Sequence, residues 1–311
     1  MSDFQAQLKS GALVGVKKGW SSFVWICKIT IPISLLVTLL HWTGWLDKLD
    51  VVMGPLMSLI NLPPAAALPI LSGILLTPYA TIAAMAVLPF TIEQMTLISI
   101  FVLICHSLIM EGIIQHKSGL NAIKATLFRI IIASLTVFIA SQFFGDTSQS
   151  VVIPAELSVH TPLLEVMKNW AVETIILLLK ILGIVMFILI ALEVLNSVGW
   201  LEKSLKFFRP LMKVCGLPDR GAMMFVAGIV FGLVLASAVI MGEAKKGLMT
   251  KEELECSHIS IGINHSIIEE PVVFSLLGIN ILWLIIPKLL ASIITVQAYR
   301  GALYLKKKVG W

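Results

Sequence analysis

Apolar positions along this chain run in long blocks, not in the alternation of a strand or the one-sided stripe of a soluble helix. A helix crossing about 30 Å of hydrocarbon needs about 20 such residues. Six blocks are long enough: 21–43, 95–114, 120–144, 165–198, 255–277 and 280–303. Two more are interrupted. The block at 63–90 contains Pro64, Pro69, Gly73, Pro78 and Pro89, and the block at 220–242 contains Gly221, Gly228 and Gly232. Proline removes a backbone donor inside a helix, and glycine costs about 1 kcal/mol there. Broken apolar segments in matching places of two halves point to the binding site of a transporter.

The halves do match. At an offset of 155 residues, "GWLDK" (44–48) meets "GWLEK" (199–203), and "PLM" at 55–57 meets "PLM" at 210–212. At the same offset Leu62-Pro63 meets Leu217-Pro218, and "SGI" at 72–74 meets "AGI" at 227–229. The offset then grows to 159, where "HSLIME" from His106 meets "HSIIEE" from His265. The four extra residues fall in the charged stretch "GEAKKGLMTKEELE". Agreement in a fixed order that includes Trp, Pro, His and Glu reads as an internal repeat.

Charge suggests sidedness. No Lys or Arg occurs between Arg129 and Lys168, so 146–164 reads as an external loop. Lys17 and Lys18, the stretch from Lys203 to Arg220, Lys245 and Lys246, and Lys306 to Lys308 read as internal. Each repeat then crosses the membrane an odd number of times, and the two are inverted. Each interrupted block reads as a re-entrant hairpin with arms of about 12 residues, or about 18 Å of helix. The tips fall near Thr77-Pro78 and Gly232, where irregular backbone needs protein or a wet cavity beside it. Residues 46–62 and 201–217 read as interfacial helices. The expected fold is all-α and integral to the membrane, with two inverted-topology repeats. Each has three transmembrane helices, an interfacial helix and a re-entrant helical hairpin. The expected divisions are an N-terminal cytoplasmic or interfacial segment (1–19), a first repeat (20–145), an external loop (146–164), a second repeat (165–303) and a basic cytoplasmic tail (304–311).

Composition agrees. The chain has 311 residues, 58% hydrophobic and 13% charged, about half the charged fraction of a soluble domain. The net charge of +5 follows from basic internal loops and calls for no nucleic acid. Cys27, Cys105, Cys215 and Cys256 show no CxxC spacing, so no zinc or redox motif is signalled. The first twenty residues are too polar for a signal peptide, and Ser2 or Asp3 suits the cap of a short interfacial helix. Trp42, Trp45, Trp170 and Trp200 read as interfacial anchors. Lys28 reads as snorkelling to the inner face, and Glu193 as interfacial.

The string "WICKITIPISLLVTLLHWTGWLDKL…GPLM…LP…SGIL…HSLIMEG" resembles the nucleoside recognition, or Gate, domain. That domain occurs in spore maturation membrane proteins, in the membrane core of bacterial ferrous-iron transporters and in concentrative nucleoside transporters. Two copies, at roughly 20–145 and 165–303, would cover nearly the whole chain. The resemblance implies inverted repeats with interfacial helices, re-entrant hairpins and unwound helices. The hairpin tips here offer Ser72, Gly73 and Thr77 in one repeat and Gly228 and Gly232 in the other.

Ionisable residues at bilayer depth cost about 2.5–3.5 kcal/mol on insertion scales and are functional candidates by default. "HSLIMEG" places His106, Ser107 and Glu111 there; "NHSIIEEP" places Asn264, His265, Ser266, Glu269 and Glu270. His265 and Glu269 are four apart and would share a helical face. Glu270 precedes Pro271 and Glu111 precedes Gly112, so both carboxylates are expected at helix interruptions. Carboxylates beside freed carbonyls suit H⁺ or Na⁺, and histidine carries a proton near neutral pH. The structural alternatives are hydrogen-bonded glue between helices for His265 and Glu269, and an interfacial place near "QHKSG" for His106 and Glu111.

The leading expectation is a secondary transporter for a small polar or charged solute, working by alternating access and coupled to H⁺ or Na⁺. One competitor is a divalent metal-ion permease using Cys105, His106, His265 and the carboxylates. Another is a non-transporting scaffold or assembly partner. No enzyme is expected, because HExxH, GxSxG and phosphate-binding glycine loops are missing. No cofactor is expected beyond a bound Na⁺ or divalent cation. Membrane lipid and a small solute are the expected partners, with a homo-oligomer left open. The expected location is the inner, cytoplasmic membrane, multi-pass, with both termini cytoplasmic.

Overall fold

A computed structural model describes residues 2–149 and 161–309. All regular elements among them are helical. The chain starts with α1 (Ser2–Trp42) and α2 (Leu46–Ser58), then the hairpin α3 (Ala67–Leu75) and α4 (Pro78–Ala86). A broken helix follows as α5 (Ile92–Ile104) and α6 (Leu108–Lys117), and then α7 (Ala122–Ser141). The second half repeats this order with α8 (Leu163–Ser197), α9 (Trp200–Val214), α10 (Ala222–Leu235) and α11 (Ser237–Lys245). It ends with the broken pair α12 (Lys251–Asn264) and α13 (Glu269–Phe274) and with α14 (Ile281–Val309).

Five stretches among the described residues are long and apolar enough to cross a membrane: Phe4–Trp42, Ile92–Lys117, Ala122–Ser141, Leu163–Ser197 and Ile281–Lys308. The protein is an all-helical membrane protein. The sixth block expected from sequence, 255–277, is not one continuous helix. It divides into α12 and α13 because Ser266 takes a left-handed φ of 51°. The N-terminal segment also differs from expectation, since its residues run without interruption into α1. Most of the expected external loop lies outside the described residues.

Helix α1 packs along α8. Gly11, Gly15 and Gly19 form a one-turn ladder on the shared face. A Cβ on Gly15 would sit 2.6 Å from Ile190 Cα, so side chains there would force the helices apart. Lys18 Nζ closes the seam on Glu193 Oε1 at 2.6 Å. Two of the expected tryptophan anchors spend their indole N–H on protein. Trp42 donates to the Thr161 carbonyl at 3.1 Å and Trp170 to Ser34 Oγ at 3.1 Å.

Both hairpins turn where expected. Thr77 caps α4 ahead of Pro78, and Gly232 breaks α10 with φ 78° and ψ 168°. Helices α3 and α4 pack against each other, as do α10 and α11. Each first arm lies against the neighbouring broken helix, which brings the two polar stretches into the interior.

Candidate functional site

The breaks fall at Ser107 (φ 47°) and Ser266 (φ 51°), one turn earlier than Gly112 and Pro271 suggested. Pro271 lies in the first turn of α13, where a missing N–H costs little. Both breaks are clamped by the hairpins. Ser107 donates its backbone N–H to the Gly73 carbonyl at 3.0 Å, and Ser266 donates to the Gly228 carbonyl at 3.4 Å. Close approach needs glycine at both places. A Cβ would lie 2.8 Å from Val102 Cγ1 at Gly73 and 2.6 Å from Ile261 Cγ2 at Gly228.

A broken helix exposes carbonyls on its first half and amides on its second. N–H donors fill the first need. His106 Nδ1 donates to the Val102 carbonyl at 2.8 Å, and His265 Nδ1 to the Ile261 and Gly262 carbonyls at 3.1 Å. Arg129 Nε donates to the Ile104 carbonyl at 2.8 Å, and Nη2 to the His106 carbonyl at 3.0 Å. Lys288 Nζ donates to the His265 carbonyl at 2.7 Å. Anions sit at the second half. Glu111 and Glu270 occupy the first turns of α6 and α13, where the helix dipole favours them.

The two polar stretches meet. His106 Nε2 lies 3.0 Å from His265 Nε2, 3.2 Å from Glu111 Oε1 and 3.1 Å from Glu270 Oε1. His265 Nε2 lies 3.2 Å from Glu111 Oε1. Arg129 Nη1 binds Glu111 Oε2 at 2.5 Å, and Lys288 Nζ is 3.7 Å from Glu270 Oε2. All six residues are buried. The expectation that His265 faces Glu269 does not hold, because the break intervenes. Glu269 instead accepts a hydrogen bond from Tyr79 Oη at 2.7 Å, just past the first hairpin tip.

The other expected residues divide. Ser107 donates Oγ to the Leu76 carbonyl at 2.8 Å, while Ser72 and Thr77 bond within their own hairpin, Ser72 to Pro69 and Thr77 to Ala80. Asn264 is fully buried, and neither side-chain atom has a protein partner. Lys28 is exposed and takes no part. Arg129, Lys288 and Tyr79 were not singled out from sequence. The signal for two of them was present. Arg129 and Lys288 lie inside apolar blocks and are themselves 159 residues apart, the offset that relates His106 to His265.

Proton accounting follows from the geometry. A carbonyl only accepts, so each Nδ1 carries its hydrogen. Without an added proton, both Nε2 atoms aim lone pairs at each other and at carboxylate oxygens. A proton on His106 Nε2 would turn that atom from an opposed lone pair into a donor facing His265 Nε2, Glu111 and Glu270. Donor atoms of His106, His265 and Glu270 also lie within 4.8 Å of one another, close enough for one metal ion.

A family model described as Gate, nucleoside recognition, matches residues 178–280. The match includes α9 to α13 and thus the second hairpin and its broken helix; the expected first copy at 20–145 lies outside it. The chain is also similar to the uncharacterized membrane protein YvoD of Bacillus subtilis (strain 168). The two are 24% identical over 294 residues, covering 94% of each. No solved structure matches. The matched residues include His265 and Glu270 of the cluster and the neighbouring Glu269, while His106, Glu111, Arg129 and Lys288 lie outside them.

Proposed function

We propose that this Gate-domain membrane protein is a secondary transporter that moves a small polar or charged solute by alternating access, coupled to a proton held by His106 and His265. The observation that carries this reading is the 3.0 Å approach of two Nε2 atoms whose Nδ1 hydrogens are already committed to carbonyls. That arrangement has a place for one proton, and it lies between two broken helices at the meeting of the two halves. Loss of the proton would set lone pairs against carboxylates and loosen the contact between the halves. Proton binding and opening of the cluster are then linked by their differential stability. The inverted arrangement of the halves is part of this reading, since it would let the same contact face either side in turn.

The test is electrical. Purified protein in proteoliposomes would be challenged with nucleosides, dicarboxylates, amino acids and other small anions under an inward proton gradient, beside a Glu270→Gln variant. A current with one solute class, lost in the folded variant, is the expected result. No current with any class, together with a lowered melting temperature of the variant, would reduce the cluster to structural glue.

A further inference from the structure

Away from the cluster, the ends of α9, α12 and α14 enclose a cleft of about 520 Å³. Leu217 and Leu303 line it together with Lys213 and Arg300. The acidic residues of the lining are already paired. Glu252 binds Lys307 at 2.7 Å, and Glu253 binds Arg220 at 2.6 Å. Lys213 has no ion pair among the described residues, and Arg300 makes one long hydrogen bond, 3.5 Å to Gln297 Oε1. Arg300 nonetheless has a defined place. It lies over Gly216, whose φ of +69° and missing side chain make the room; a Cβ there would come within 2.9 Å of Arg300 Cζ. An exposed guanidinium packed over this glycine, with most of its donors unspent, suits a phosphate.

The surroundings identify the source of that phosphate. The cleft lies at the end of the apolar stretch Ile281–Lys308, beside Lys306, Lys307 and Lys308, which is headgroup depth. Helix α9 carries exposed Lys206, Arg209 and Lys213 next to Phe207, which is 80% exposed. Val214 and Leu305, 54% and 60% exposed, continue the apolar surface beside the cleft. A free phosphate has no use for such flanks, whereas acyl chains do. We propose that this cleft binds the phosphate of an anionic phospholipid, with Arg300 as the forked donor, Lys213 as the second charge, and the acyl chains lying along α14.

Native mass spectrometry and thermal unfolding of the full chain in detergent test it, using phosphatidylglycerol, phosphatidylcholine and inorganic phosphate as probes. Phosphatidylglycerol is expected to stay bound and to raise the melting temperature above phosphatidylcholine, with inorganic phosphate inert. Arg300→Gln and the exposed Lys213→Gln should each weaken retention by about tenfold, the worth of roughly one charge-assisted hydrogen bond. Equal retention of the two lipids, or full retention by both variants, overturns the proposal. A shift produced by inorganic phosphate alone also overturns it, and assigns the cleft to a soluble phosphate compound.

Discussion

His106 Nε2 and His265 Nε2 lie 3.0 Å apart, although 159 residues separate them in the chain. The same separation relates Glu111 to Glu270, Arg129 to Lys288 and Ser107 to Ser266. It also relates backbone bonds: Glu111 N–H donates to the Ser107 carbonyl at 3.0 Å and Glu270 N–H to the Ser266 carbonyl at 3.3 Å. One local design is therefore built twice, and its two copies touch through their imidazoles.

Glu111 and Arg129 form a buried pair, so removing one partner strands a charge. Glu111→Gln is expected to destabilise the protein by about 3–5 kcal/mol. Glu111→Gln with Arg129→Met should cost less than the sum of the two single changes, because each single change already loses the pair. Melting followed by tryptophan fluorescence in detergent reads all three, and strictly additive losses would argue against the pairing.

Arg129 serves three acceptors at once: the Ile104 and His106 carbonyls and Glu111. An ammonium on a flexible stem cannot reproduce that fork. Arg129→Lys should cost at least about 2 kcal/mol, from two buried carbonyls losing their donor. Wild-type melting of this variant would contradict the geometry.

The hairpin glycines are steric requirements. Gly228→Ala brings a methyl to 2.6 Å from Ile261, and overpacking of this kind costs about 1–3 kcal/mol. Gly232→Ala should be worse, since its φ is +78° and its Cβ would run into Ser266 Oγ. Gly183→Ala, in the middle of α8 with nothing within 4 Å, is the control and should be neutral or stabilising by up to about 1 kcal/mol.

Inverted repeats require α2 and α9 to lie on opposite membrane faces. Cysteines placed at Leu56 and Phe207, both well exposed, should react with an impermeant maleimide from opposite sides of intact vesicles. Labelling of both from one side would sink the inverted arrangement.

Thr250 and Glu253 form a capping box at the start of α12. Burial opposes ionisation of Glu253, but the Thr250 N–H and the Arg220 guanidinium outweigh it and hold the carboxyl below its usual range. Its contribution is therefore complete above the unfolded carboxyl pKa of about 4.3 and disappears as pH falls through the lower folded value. Glu253→Gln should lower the melting temperature at pH 7 and close the gap to the parent below about pH 4. A constant gap across pH would rule this out.

The chain itself determined the all-helical membrane class, because apolar blocks of about 20 residues have few other solutions. It also determined the hairpin tips, since Thr77-Pro78 supplies a helix cap followed by a first-turn proline and Gly232 accepts a φ of 78°, and the two polar stretches, which stand out against apolar surroundings. Tertiary structure decided where the helices break. Gly112 and Pro271 looked like the interruptions, yet Pro271 fits a first helical turn, and the breaks settled at Ser107 and Ser266, where the Gly73 and Gly228 carbonyls accept their N–H groups. It also decided the partners. Local spacing paired His265 with Glu269, but the break turned His265 toward His106 and Glu111, and Tyr79 took Glu269. Arg129 and Lys288 acquired their meaning in the same way. A cation within an apolar block marks a site only once the fold shows which orphaned carbonyls and carboxylates it satisfies, and those lie on other helices.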